Sequence, residues 1–165
     1  VHRSGGAFSL IILDFDNFKA INDRYGHEFG NQVLKAAGTF FQRSLRKLDI
    51  PCRFGGEEFV LVLPSTELRD AVLLAERIRE GVTRMQMQVD GQHIPLSVSM
   101  GVDVYRASDR ITPEVFLDRA DQYLLQAKQA GKNRVHYPRM ADPVDGMSVD
   151  ERSALMDGFD RDRNA

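Results

Sequence analysis

Apolar positions along this chain follow two periods, and the switches between them divide it into elements. Ser9 to Phe15 (SLIILDF) is a short apolar run with two β-branched residues, which predicts a buried strand ending at the acidic pair Asp14 and Asp16. Asn17 to Arg24 predicts a short helix broken at Gly26. From Phe29, the apolar positions Val33, Ala36/Ala37, Phe40/Phe41 and Leu45 recur at helical spacing, predicting an amphipathic helix that stops before Pro51. Ile50 to Phe54 and Glu57 to Leu63 flank Gly55-Gly56 and read as a hairpin, with the two glycines supplying the positive φ of a tight turn.

Pro64-Ser65-Thr66 then reads as a loop and N-cap for a helix marked by Leu68, Ala71/Val72, Ala75, Ile78 and Val82. Asp90-Gly91 turns the chain into Ile94 to Tyr105, where Leu96, Val98, Met100, Val102 and Val104 alternate as in a strand with one buried face. Thr112-Pro113 caps a helix through Phe116, Ala120, Tyr123/Leu124 and Ala127, closed by Gly131 before a last strand at Arg134 to Tyr137. The order β-α-β-β-α-β-α-β predicts an α+β (α/β) fold of ferredoxin-like or split-βαβ type, a mixed, largely antiparallel sheet flanked by helices.

With 165 residues, one domain is expected, assigned to residues 1–137. Residues 138–165 carry seven acidic against four basic side chains and read as a tail, a short peripheral helix or disordered. Charge nearly cancels, 22 Lys plus Arg against 24 Asp plus Glu, so no field of the kind that holds duplex nucleic acid or a membrane surface is expected. The single Cys52 excludes a disulfide framework, fits a reducing compartment and reads as a packed, inert thiol. No apolar run approaches a membrane span. Together these features predict a cytoplasmic segment, whose parent protein is free to be membrane-anchored. The chain begins at Val1, so it reads as a piece of something longer.

Candidate chemistry gathers at two points. Glu57 and Glu58 are consecutive carboxylates at the hairpin, and strand alternation sends one to each face. If the first strand lies beside this hairpin, Asp14 and Glu57 converge, and such hard oxygen donors suit Mg²⁺ or Mn²⁺ holding phosphates; a solvated turn is the bland alternative. Asn17, Phe18 and Lys19 open a helix, where free amides and the dipole favour phosphate. His27 and Asp16 read as structural.

Arg53-Phe54-Gly55-Gly56-Glu57-Glu58-Phe59, preceded by Asp14-Phe15-Asp16-Asn17-Phe18-Lys19-Ala20-Ile21-Asn22-Asp23 and Tyr25-Gly26-His27, resembles the GGDEF family of diguanylate cyclases from about Ser9 to His136. The resemblance implies condensation of two GTP into cyclic di-GMP on a fold related to nucleotide cyclases. It makes Asp14, the Phe15 carbonyl, Glu57 and Glu58 ligands of two Mg²⁺ (or Mn²⁺) ions per active site, with Glu57 and Glu58 catalytic. It puts the Asn17, Phe18 and Lys19 amides, Lys19 itself, Lys128 and Lys132 on phosphates, and Asn22 on guanine.

Two departures stand out. The guanine-reading aspartate expected after Gly30 is Asn31, which offers one acceptor and one donor where a carboxylate offers two acceptors. An N-terminal helix with an Asp-x-Leu-Thr-Gly-Leu motif is missing. Arg46-Lys47-Leu48-Asp49, with Arg77, resembles the family's inhibitory product site, where arginine forks bind phosphate and stack on guanine. The resemblance also implies a symmetric homodimer for catalysis, weak association otherwise, and an upstream sensor or dimerisation domain. The competing expectation is a catalytically weak or inactive cyclic di-GMP receptor, and the blandest a partner-binding ferredoxin-like domain.

Overall fold

The computed structural model describes residues 6–140; of the tail expected at 138–165, residues 141–165 lie outside them. The elements are β1 (Phe8–Phe15), α1 (Phe18–Tyr25), α2 (His27–Ser44), β2 (Ile50–Arg53), β3 (Glu58–Pro64), α3 (Leu68–Thr83), β4 (Gln88–Val89), β5 (Gln92–His93), β6 (Val98–Tyr105), α4 (Pro113–Gln129) and β7 (Val135–His136). Five strands form one sheet in the order β2-β3-β1-β6-β7, all neighbours antiparallel except β6 and β7. The predicted mixed, largely antiparallel sheet is therefore the observed one.

β1 is the central strand, which is why its sequence is an uninterrupted apolar run rather than an alternation. Its Ile11, Leu13 and Phe15 join α2 and α3 through Val33, Ala37, Phe41, Ala75 and Ile78 in the larger core. Leu10 and Ile12 point the other way, onto Phe116, Ala120 and Leu124 of α4. Each large side chain so buried contributes roughly 1.5–3 kcal/mol. α4 lies unusually close to the sheet: a Cβ on Gly101 of β6 would stand 2.2 Å from the Ala120 carbonyl oxygen and 2.4 Å from the Leu124 nitrogen. That contact sets how near the C-terminal end of α4 comes to the end of β1.

Several local expectations change. β6 begins at Val98 rather than Ile94, because Asp90-Gly91 forms its own small hairpin between β4 and β5. Both turn residues have positive φ, 50° and 77°, as a tight hairpin turn requires. β6 is buried on both faces rather than one. The residues between its apolar positions, Ser99, Gly101 and Asp103, are buried as well, and the two polar ones are paired: Ser99 with Asp16, Asp103 with Arg119. Thr66 does not cap α3; its hydroxyl donates to the Pro64 carbonyl, and Glu67 is the N-cap residue. Thr112 does cap α4, accepting from the Val115 amide at 3.3 Å with Pro113 in the first turn. Cys52 is exposed rather than packed, because β2 is an edge strand with neither face covered. His27 is likewise exposed, at the start of α2.

Candidate active site

The end of β1 brings the acidic residues together. In the β1/β3 register Asp14 stands directly opposite Glu58, so these two side chains share the face covered by α4. Glu57 precedes the strand, on the turn between β2 and β3, so strand alternation does not govern it. The charge of Glu57 acts on Asp14, and those of Asp14 and Glu57 act on Glu58, so the three carboxylates lie within electrostatic reach of one another.

Lys128, in the last turn of α4, donates to Asp14 Oδ2 and forms an ion pair with it. Burial holds the Asp14 carboxyl above its ordinary value; Lys128 pulls it down, and Glu57 and Asp16 add to the rise. Burial likewise raises Glu58, helped by Asp121 of α4 and by Asp14. Asp14 Oδ1 is buried and has no hydrogen-bond partner among the described residues. An orphaned carboxylate oxygen beside two further carboxylates fits a hard cation. Among the described residues no three acidic, His or Cys side chains close around a metal. The Phe15 side chain is buried in the core, so only its backbone is available to the site.

The turn between β2 and β3 departs from the two-residue plan. It spans Phe54 to Glu57, with the Phe54 and Gly55 amides both donating to the Glu58 carbonyl, at 2.8 and 3.3 Å. Arg53 clamps it, donating to the Gly56 carbonyl from Nε at 3.1 Å and from a terminal nitrogen at 2.7 Å. Neither Gly55 nor Gly56 has positive φ, and a Cβ on either meets nothing closer than 3.6 Å. The chain's own packing does not require these glycines; what they leave is open backbone that a ligand can approach.

Across the site, α1 begins at Phe18 with Asn17 as N-cap in the left-handed region, φ 56°, and the Asn17 side chain does not cap the helix. Its oxygen instead accepts from Lys132 Nζ at 2.6 Å. The first-turn amides thus keep their donors free of intrahelical partners. Lys19 is exposed on that turn, and the Phe18 side chain is buried against Phe15, ring centroids 5.9 Å apart.

One turn further along α1, Asn22 Oδ1 is buried without a partner among the described residues. A Cβ on Gly30 of α2 would stand 1.8 Å from that oxygen, so the absence of a side chain at Gly30 is what makes room for it. Asn31, the next residue, is exposed.

Away from the carboxylates, Arg46, Asp49 and Arg77 line one cavity of about 210 Å³, with Ser44, Thr66 and Asp70. The Asp49 carboxylate accepts from the Arg46 amide at 2.8 Å, and Arg77 donates to the Ser44 carbonyl at 3.1 Å. Leu73 and Leu74 add an apolar wall.

The family model described as "Diguanylate cyclase, GGDEF domain" matches residues 1–134. This chain belongs to the GGDEF domain family. It is 41% identical over 132 residues to the response regulator PleD of Caulobacter vibrioides, covering 79% of this chain and 29% of that protein. It is 39% identical over 134 residues to the diguanylate cyclase DgcP of Pseudomonas aeruginosa, covering 81% and 20% respectively. The chain thus spans under a third of these curated relatives. Among solved structures, the GGDEF domain of DgcB from Caulobacter crescentus in complex with c-di-GMP matches with a TM-score of 0.74 at 28% identity, covering 81% of this chain and 78% of that one. The active GGEEF domain of a diguanylate cyclase from Vibrio cholerae matches with a TM-score of 0.74 at 34% identity, covering 82% and 85%.

Within this GGDEF domain the fold gathers Asp14, Glu57, Glu58 and Lys128 at one end of the sheet, joins Asn17 to Lys132, and puts Arg46, Asp49 and Arg77 around one cavity. Lys128 is paired with Asp14. Sequence reasoning missed Asp121, which lies seven residues before Lys128 and so on the same helix face, a spacing that could have revealed it. It also missed Gly30, whose signal exists only in three dimensions. No helix among the described residues is long and apolar enough to cross a membrane.

Proposed function

We propose that this GGDEF domain is a diguanylate cyclase that condenses two GTP into cyclic di-GMP with release of pyrophosphate. The observation that carries the reading is the orphaned, buried Oδ1 of Asp14 beside the charges of Glu57 and Glu58. Asp14, Glu57, Glu58 and the Phe15 carbonyl would hold divalent cations, Mg²⁺ or Mn²⁺, two per site. Those cations, when bound, supply charge neutralisation of the triphosphate and polarisation of the α-phosphate. Lys128 offsets part of the burial that raises Asp14 and adds positive charge beside the phosphates. Glu57, on the turn rather than in the strand, takes the proton of the attacking 3′-hydroxyl. The α1 amides with Lys19 and Lys132 bind the β- and γ-phosphates, and Asn22 accepts from the guanine edge.

The product joins two equivalent nucleotides by two identical bonds. A symmetric pair of domains, each holding one GTP, supplies that geometry, and an upstream sensor or dimerisation domain promotes the encounter. The cavity of Arg46, Asp49 and Arg77 is the site of product feedback: two arginines and a carboxylate match phosphates and the guanine N1–H and N2–H₂ edge. The test is incubation of concentrated protein with GTP and Mg²⁺. The expected result is cyclic product, lost in Glu57→Gln and less product-inhibited in Arg46→Ala. Cyclic di-GMP binding without turnover in the parent protein would instead establish a receptor.

A further inference from the structure

Asp16 lies two residues past the metal-facing Asp14 but takes no part in that cluster of ligands. It is only 5% exposed, and no salt bridge to it occurs among the described residues. A carboxylate buried without a cation must be satisfied by hydrogen bonds. Three donors do this: the Ser97 hydroxyl at 2.6 Å, the Ser99 hydroxyl at 2.5 Å and the Asn133 backbone amide at 3.0 Å. The Asp16 amide in turn donates to the Ser97 carbonyl at 2.9 Å. Asp16 therefore ties the end of β1 to the approach to β6 and to the loop after α4.

That loop is strained. Gly131, Lys132 and Asn133 are consecutive left-handed residues with φ of 122°, 64° and 46°, and two of them carry side chains. Such a run persists only where its surroundings over-determine it. Asn17, adjacent to Asp16, is left-handed too, φ 56°, and accepts from Lys132 Nζ. The phosphate-facing turn of α1 and the loop carrying Lys132 thus meet across Asp16. Its carboxylate holds one by covalent neighbourhood and the other by the Asn133 amide.

We infer that Asp16 is a positioning residue, whose buried carboxylate sets the Lys132 ammonium against the first turn of α1 and so builds the triphosphate seat from two separate elements. This inference rests on the nucleotide reading of the site. Loss of the carboxylate frees the strained loop to relax, and Lys132 then no longer meets the phosphates with the α1 amides. An asparagine at this position keeps the arrangement. Its Oδ1 accepts from Ser97 and Asn133 while its amide donates to the Ser99 hydroxyl, which rotates to accept.

The experiment is a double-mutant cycle on GTP affinity, titrated calorimetrically in Mg²⁺, with melting temperatures recorded alongside. Asp16→Ala and Lys132→Ala are each expected to weaken GTP binding about tenfold, and the double variant no further, because residues that act as a unit are non-additive. Asp16→Asn is expected to bind as the parent does. If Asp16→Ala does not fold, Ser99→Ala, which removes one of the three donors, replaces it in the same cycle. A parent that binds GTP while Asp16→Ala binds it equally well, or effects that simply add, overturns the positioning role alone. A parent that binds no GTP overturns the nucleotide reading itself.

Discussion

Gly30 and Asn22 face each other across the α1/α2 contact so closely that a single methyl group on Gly30 would overlap the Asn22 side-chain oxygen, 1.8 Å away. The oxygen is buried and unpaired. A buried unsatisfied acceptor costs about 1–3 kcal/mol, so a fold that keeps one keeps it for a donor that arrives from outside.

Gly30→Ala is accordingly expected to fold, since alanine is the better helix former, but to displace Asn22. GTP affinity should fall by about tenfold or more, the loss of a hydrogen bond together with misplacement of the base. Calorimetric titration alongside a thermal melt separates the two effects. Unchanged affinity would mean that Asn22 does not read the base.

Asn31 supplies the second prediction. Its amide offers one acceptor where guanine presents two donors, so the parent protein should prefer GTP with reduced discrimination against ATP. Asn31→Asp is expected to raise the GTP-over-ATP ratio by about tenfold, the size of one charge-assisted hydrogen bond. Competition in a turnover assay measures it, and strict GTP selectivity in the parent would rule the idea out.

Gly101 predicts a coupling between packing and the site. An alanine there meets the backbone of α4 at Ala120 and Leu124, which cannot give way as a flexible side chain does. Gly101→Ala should destabilise the domain by roughly 1–3 kcal/mol, possible relief being limited to a shift of the whole helix. Because Lys128 rides on α4, activity should fall further than the lost stability explains. Urea denaturation read beside turnover at a temperature well below melting tests both.

Asp103 is fully buried, and Arg119 is its cation, Nε to Oδ2 2.8 Å. Removing one partner of a buried pair costs ~3–5 kcal/mol, and Arg119 is 42% exposed at its side chain, so Arg119→Ala is expected to cost about 2 kcal/mol. Asp103→Asn in the same chain should recover part of that loss, as a neutral amide needs no cation. Additive effects of the two changes in denaturant melts would contradict the pairing.

The helices and the central strand were legible in the sequence because each is set by a local period. The amphipathic stripes of α2, α3 and α4 each bury one face and the apolar run of β1 buries both of its faces, and neighbours in sequence suffice to show it. The turn between β2 and β3 was misread for an instructive reason. Paired glycines predict positive φ when the fold alone shapes a turn, yet neither Gly55 nor Gly56 has positive φ. β6 follows the same logic: alternation implies a wet face, while α4 covers that face, Arg119 of α4 pairs Asp103 and Asp16 pairs Ser99.

By itself the sequence determined the order of the five sheet strands and of the long helices, the α+β class and the GGDEF family, because periodicity and contiguous motifs are written along one dimension. Only the tertiary structure decided that Glu58 rather than Glu57 stands opposite Asp14, that Lys128 is held by Asp14, and that Asp16 joins two loops more than a hundred residues apart in the chain. Those relations depend on strand register and on how closely a helix approaches a sheet. Both are settled by side-chain volumes summed over the whole core, which no local pattern records.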